Sequence, residues 1–150
     1  MLNKHDISRL RRLVLSGVIL ATTGFSAGAA SDDVLTKDAS GSTVINTTSL
    51  TDFRGYAGLT PLKITISKDG IIKHIKPLAN QESPRYFKRA TSLLSVWEGK
   101  SVKNASNVKA DAVTGATYSS EAIIKNMEAG LSYYSKNAKG KKSKSTKKRR

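Results

Sequence analysis

The chain of 150 residues is long enough for one compact domain with extensions at its ends. Its formal net charge of +15 is concentrated near the termini, because residues 136–150 hold nine Lys or Arg and residues 1–30 carry a net charge of +3. The charge between them is ordinary, so the composition does not indicate a specific nucleic-acid-binding domain. The absence of cysteine excludes disulfides, thiolate metal sites and iron–sulfur clusters. If the protein moves electrons, an organic cofactor is the plausible carrier.

Residues 1–30 have the features of an export signal. A basic start with four Lys or Arg precedes an apolar run over residues 13–25, and residues 27–29 offer a small-residue cleavage site. The alternative is a retained N-terminal anchor, although residues 13–30 contain four Ser or Thr and are short for a span, which needs about 20 apolar residues. We favour the cleaved signal and predict that the protein is exported.

Residues 31–51 are polar, and the β-prone stretch Thr43-Val44-Ile45 predicts a linker that ends in a short edge strand. The domain itself is predicted to span residues 52–135. Near its start, Tyr56 stands between two glycines that permit a tight turn. Apolar and polar residues then alternate over residues 62–67, Asp69-Gly70 supplies a turn, and residues 71–76 return, which predicts a β-hairpin.

Two helices are predicted after the hairpin. The first begins at Ser83-Pro84 and ends at Gly99. Its predicted buried face consists of Tyr86, Ala90, Leu93, Leu94 and Trp97. The second helix is predicted over residues 119–135, and the basic residues 136–150 are predicted to be a disordered tail. The fold class is therefore α+β, with a small antiparallel sheet packed against two helices.

The segment before the last helix, residues 111–120, reads Asp-Ala-Val-Thr-Gly-Ala-Thr-Tyr-Ser-Ser. Gly115 permits an unusual backbone turn and Ala116 adds no bulk, so the Thr117 hydroxyl can remain uncovered. A hydroxyl just ahead of a helix is well placed to hold a phosphate, because free N–H groups and the positive end of the helix dipole point there. An ordinary helix cap is the competing interpretation of the same residues.

Residues 111–117 resemble the Asp-Gly-x-(Ser/Thr)-Gly-Ala-Thr signature of the FMN-binding domain family, with Ala112 where the signature often has Gly. This family includes the flavin-carrying components of the sodium-translocating NADH:quinone reductase and of the Rnf electron-transport complex. The resemblance extends over residues 50–135. It implies an FMN-binding-domain-like fold and an FAD:protein FMN transferase as partner, which would esterify the FMN phosphate onto Thr117.

The resemblance also implies roles for the residues around Thr117. The positions expected to bind the cofactor are Thr117, Asp111, Thr114, Gly115, Ala116, Ser119, Ser120, Tyr56 and Glu82. Ser119 and Ser120 would receive the phosphate, and Asp111 would orient the segment during transfer. Tyr56 would either pack near the isoalloxazine ring or close an edge of the core. Glu82-Ser83-Pro84 resembles the family's Glu-Thr-Pro, which lies near the flavin.

The sequence contains no nucleophile, base or metal-ligand set at recognisable spacing, which indicates a carrier more than a catalyst. We therefore expect an exported flavoprotein with covalent FMN that relays electrons between membrane or envelope partners, in the periplasm or at the outer face of the cytoplasmic membrane. One alternative is a non-redox adaptor whose basic tail binds anionic envelope surfaces. Another is a domain that binds FMN without covalent attachment.

Overall fold

The computed structural model describes residues 33–145, with side chains through residue 138. One antiparallel sheet contains four strands in chain order: β1 (Leu35–Lys37), β2 (Thr43–Asn46), β3 (Leu62–Ile66) and β4 (Ile72–Pro77). The helices are α1 (Pro84–Ala90), a 3-10 helix (Thr91–Val96), α2 (Val102–Ala105) and α3 (Thr117–Ser145). The predicted α+β class is confirmed. The predicted export signal lies outside the described residues.

Strands β3 and β4 form the predicted hairpin. Gly70 in the turn has a φ of 78°, a conformation that glycine adopts without steric cost. In β4, two consecutive residues, Lys73 and His74, face solvent because a bulge adds one residue opposite Thr65 and Ile66. Because the bulge inserts one extra residue, both Ile72 and Ile75 face the core, and Ile75 lies opposite Ile64.

The segment predicted to be a linker belongs to the sheet. Strand β2 is not an edge strand, since it pairs with both β1 and β3, and Ile45 on it is fully buried. A turn over residues 38–42 joins β1 to β2, and the Asp38 carboxylate accepts a hydrogen bond from the Ser42 N–H at 2.9 Å. The strand predicted at Thr43-Val44-Ile45 is confirmed, but its edge position and the linker before it were wrong. Strand β1 was missed because it has only three residues and a polar turn follows it.

The first predicted helix is broken into two parts. Hydroxyl groups at 91, 92 and 95 each donate to the carbonyl three residues earlier, which favours the tighter 3-10 geometry after Ala90. Ala90, Leu94 and Trp97 are buried as predicted, and Trp97 packs in the core. Tyr86 is instead 47% exposed, so its inclusion in the buried face was wrong.

Helix α3 is longer than predicted at both ends. It begins at Thr117 and continues to Ser145, so the first ten residues of the predicted disordered tail are helical. Lys and Ala in this segment favour helix, and cations near a helix C-terminus interact well with its dipole. Residues 146–150 lie outside the described part. Within residues 33–145, no helix combines the length and apolar character required to cross a bilayer.

The core lies between the sheet and α3. Ile123, Met127 and Leu131 of α3 are buried together with the inward-facing residues of β2, β3 and β4. Gly130 allows close approach, because a Cβ at this position would lie 2.6 Å from Ile64 Cδ1. Close by along the helix, Asn126 accepts a buried hydrogen bond from the Thr47 hydroxyl. These contacts fix the position of α3, and hence of its first turn, relative to the sheet.

Replacing Gly130 with valine should destabilise the fold, because the added carbons would be forced against Ile64 and Thr47. We expect the free energy of unfolding to fall by about 2 kcal/mol in a denaturant titration. Ser132→Val is the matched control, since it places the same branched side chain on the exposed face of the same helix. Equal losses in the two variants would contradict close packing at residue 130.

Candidate functional site

The segment ahead of α3 forms a turn that leads directly into the helix. The Ala116 N–H donates to the Val113 carbonyl at 2.9 Å, and Gly115 has a φ of 79°. A positive φ at the third residue of a four-residue turn is the feature for which glycine is selected in type II turns. The turn is also tied to the helix, because the Val113 N–H donates to the Ser120 hydroxyl at 3.1 Å.

Thr117 is the first residue of α3, and its side chain is exposed. Ala116 beside it is buried, and neither Gly115 nor Ala116 carries a side chain that could cover the hydroxyl. The first N–H groups of a helix have no partner within the helix, and the dipole makes this end positive. An anionic group on the Thr117 oxygen would therefore lie at a favourable position.

Thr117 opens onto a cavity of about 510 Å³, within the usual size range of cofactor sites. Its walls come from three parts of the chain: the segment around Tyr56, the start of α1, and the turn with the first residues of α3. The lining residues are Tyr56, Glu82, Ser83, Tyr86, Gly115, Ala116, Thr117, Tyr118 and Ser119. Three of these are tyrosines, and they give the cavity a largely aromatic wall.

The tyrosines are exposed although they are large and mostly apolar. Tyr56 is 79% exposed, and its ring centroid lies 6.4 Å from that of Tyr118, with the two rings inclined by 44°. This exposure excludes the interpretation in which Tyr56 closes an edge of the core. Exposed aromatic rings around a concave surface are typical of sites that bind a planar ligand.

Glu82 joins two walls of the cavity. It is only 7% exposed, and its Oε1 accepts a hydrogen bond from the Ala57 N–H at 2.7 Å. Its Oε2 accepts a hydrogen bond from the buried Ser119 hydroxyl. Gly55 makes room for the carboxylate, because a Cβ there would lie 2.6 Å from Glu82 Oε1. The carboxylate thus holds the Tyr56 segment against the start of α3.

Most of the predicted site residues come together, but not all of them face the cavity. Asp111 and Thr114 are exposed and do not belong to the cavity lining. Ser120 is fully buried and its hydroxyl accepts from the backbone, and the Ser119 hydroxyl is engaged by Glu82. Because Ser119 donates its proton to Glu82 and Ser120 is fully buried, these two residues shape the site instead of offering accessible donors for a phosphate.

The sequence did not identify Tyr118 and Tyr86 as parts of this site. Tyr118 follows Thr117 directly, so an aromatic residue beside an exposed hydroxyl was a signal that could have been used. Tyr86 was assigned to the buried face because it is spaced four residues before Ala90. The break in the helix after Ala90 could not be inferred from that spacing.

The site is therefore that of a cofactor-binding domain with an exposed threonine at the start of a helix. The model of the FMN-binding domain family matches residues 55–132, which is just over half of the chain and includes the cavity residues. The chain belongs to this family, and FMN is the cofactor that the family assignment supports. No curated protein matches the chain.

Replacing Glu82 with alanine should release the Tyr56 segment from α3, because the Ala57 N–H and the Ser119 hydroxyl would both lose their acceptor. We expect faster hydrogen exchange at the Ala57 amide and a loss of about 1–2 kcal/mol in the free energy of unfolding.

The matched control is Glu98→Ala. Glu98 also accepts a backbone hydrogen bond, from Ile75 at 2.9 Å, but it lies outside the cavity lining. This variant should leave exchange at Ala57 unchanged. Unchanged exchange at Ala57 in the Glu82 variant would contradict the proposed bridge.

Proposed function

We propose that this protein is an exported flavoprotein that carries FMN through a phosphoester to Thr117 and relays electrons between a membrane-side donor and an extracytoplasmic acceptor. The observation that carries the proposal is the exposed Thr117 side chain at the first residue of α3, on the wall of an aromatic cavity. A helix cap alone would not require a cavity of this size beside the hydroxyl.

The residues present fit FMN. A phosphate on the Thr117 oxygen would lie beside the first turn of α3, where free N–H groups and the dipole favour negative charge. The cavity volume of about 510 Å³ is adequate for a flavin, and Tyr56, Tyr86 and Tyr118 offer faces for its ring. Gly115 and Ala116 leave the hydroxyl open to an approaching enzyme.

The attachment would be made by an FAD:protein FMN transferase acting on the folded or folding chain. In this transfer the bond between the Thr117 oxygen and the FMN phosphorus forms, and the pyrophosphate bond of FAD breaks. AMP leaves with the bridging oxygen, and the threonine proton is released. Asp111 is exposed near the start of the segment, where it could contact the transferase or its metal without obstructing Thr117.

FMN would supply the one- or two-electron chemistry, and the protein would supply attachment and orientation. Thr117 would hold the phosphate end, and the tyrosines would limit the positions open to the ring. Glu82 would hold the two cavity walls at a fixed distance from each other. The exposure of Tyr56 and Tyr118 leaves the cavity accessible, which suits an electron carrier that must approach different partners.

Export and partners form part of the same proposal. The predicted signal over residues 1–30 would direct the chain to the periplasm or to the outer face of the cytoplasmic membrane. The electron donor and acceptor would be membrane or envelope redox proteins. The basic residues 136–150 would add an attraction to anionic envelope surfaces.

Coexpression with the transferase should add the mass of one FMN minus one water to the mature protein, and Thr117→Val should abolish this gain. The intact mass measures the modification and also shows whether residues 1–30 have been removed. Thr48→Val is the control, since Thr48 is an exposed threonine outside the signature segment and the cavity lining and should not affect attachment.

An unmodified wild-type mass in the presence of an active transferase would contradict covalent attachment. Flavin that copurifies with such a protein and passes into the filtrate after denaturation would instead support non-covalent FMN binding.

The adaptor alternative makes a different prediction for the basic C-terminal residues. If attraction to anionic surfaces is electrostatic, binding to vesicles that contain anionic phospholipid should weaken steeply as salt is raised. Removing residues 136–150 should largely abolish this binding while leaving the mass gain at Thr117 intact. Vesicle binding that survives both high salt and the truncation would contradict an electrostatic role for these residues.

A further inference from the structure

Arg89, on α1, lies against the turn that precedes Thr117. A Cβ placed on Gly115 would lie 3.2 Å from Arg89 Nη1 and 3.8 Å from Cζ, so the guanidinium group rests over the glycine. Gly115 is two residues before Thr117, and the Cα atoms of such residues are at most about 7.6 Å apart. Arg89 therefore places a positive charge next to the attachment position, on the side of the turn that faces α1.

No carboxylate in residues 33–145 neutralises this charge. The ion pair found in the described part of the chain joins Lys125 to Glu128, and Arg89 forms none there. The Arg89 side chain is also exposed. A guanidinium group that rests on a binding turn without an acidic partner can accept an anion that arrives with a ligand.

We propose that Arg89 binds the phosphate group of FMN and positions it at Thr117; this inference rests on the proposed function. The planar guanidinium group presents two parallel N–H donors at the spacing of phosphate oxygens, which a lysine does not. Arg89 and the first N–H groups of α3 would then contact the phosphate from two directions. The signature segment does not contain this residue, which lies on α1, and the family match spans it without assigning it a role.

The same geometry gives Gly115 a second role. Besides adopting a φ of 79°, this residue leaves the space in which the guanidinium group rests. A Cβ at position 115 would lie 3.2 Å from Arg89 Nη1, so the guanidinium group would have to shift by a few tenths of an ångström. The absence of a side chain at Gly115 thus permits both the positive φ of the turn and the close approach of Arg89.

The comparison of FMN with riboflavin tests this inference directly, because the two flavins differ only in the phosphate. The full-length unmodified protein, produced without the transferase, is titrated with each flavin while flavin fluorescence is recorded. In Arg89→Gln the dissociation constant for FMN should rise about two- to fivefold, as expected for an exposed charge pair. The dissociation constant for riboflavin should not change.

Two further variants make the test specific. Lys88→Gln removes the same charge from the adjacent position of α1 and should leave the FMN preference at the wild-type value. Arg89→Lys keeps the charge without the planar fork and should retain part of the preference. Circular dichroism checks that each variant is folded.

The inference is overturned if the wild-type protein does not prefer FMN over riboflavin, or if Arg89→Gln and Lys88→Gln behave alike. Its failure can be separated from that of the proposed function. A wild-type protein that gains the mass of FMN at Thr117 while Arg89→Gln keeps full preference would retain the function and refute the role of Arg89. If the preference for FMN depends on Arg89 but no mass is gained, the role of Arg89 is supported and covalent attachment at Thr117 is contradicted.

Discussion

The candidate site depends on the two hydrogen bonds that the buried carboxylate of Glu82 accepts. The carboxylate accepts one hydrogen bond from the backbone at Ala57 and one from the Ser119 hydroxyl, so it joins a loop to the first turn of α3. A carboxylate in such a place is costly unless donors surround it, and here both oxygens have one. Gly55 suits the position beside it, because a Cβ there would force the carboxylate to shift. The width of the cavity between Tyr56 and Tyr118 follows from this link.

The link would have little effect if α3 itself could shift. The helix is fixed further along its length by Gly130, which brings it close to Ile64, and by Asn126, which is hydrogen-bonded to Thr47 just after β2. Both contacts involve the sheet and not the cavity. The rigid part of the fold therefore determines where Thr117 lies, while the exposed tyrosines complete the site around it.

The sequence predicted those features that leave a regular pattern. The hairpin followed from strict alternation and an Asp-Gly turn, and the Thr117 segment followed from its small residues before a helix. Strand β2 was predicted from its β-branched residues, but β1 was missed because three residues cannot show a period. The break at Ala90 depends on hydroxyl groups that compete for backbone carbonyls, which the spacing of apolar residues does not reveal. Tyr118 leaves no periodic signal, and the contact of Arg89 with the turn arises only from tertiary packing.

Helix α3 also separates two charged regions of the molecule. Its 29 residues, at about 1.5 Å per residue, extend over about 42 Å from Thr117 to the basic end of the chain. At physiological ionic strength the Debye length is about 8 Å, so charges at the two ends scarcely influence each other. An anionic surface bound at the C-terminal end would thus leave the local electric potential at Thr117 nearly unchanged. The length of one helix makes the two ends electrostatically independent.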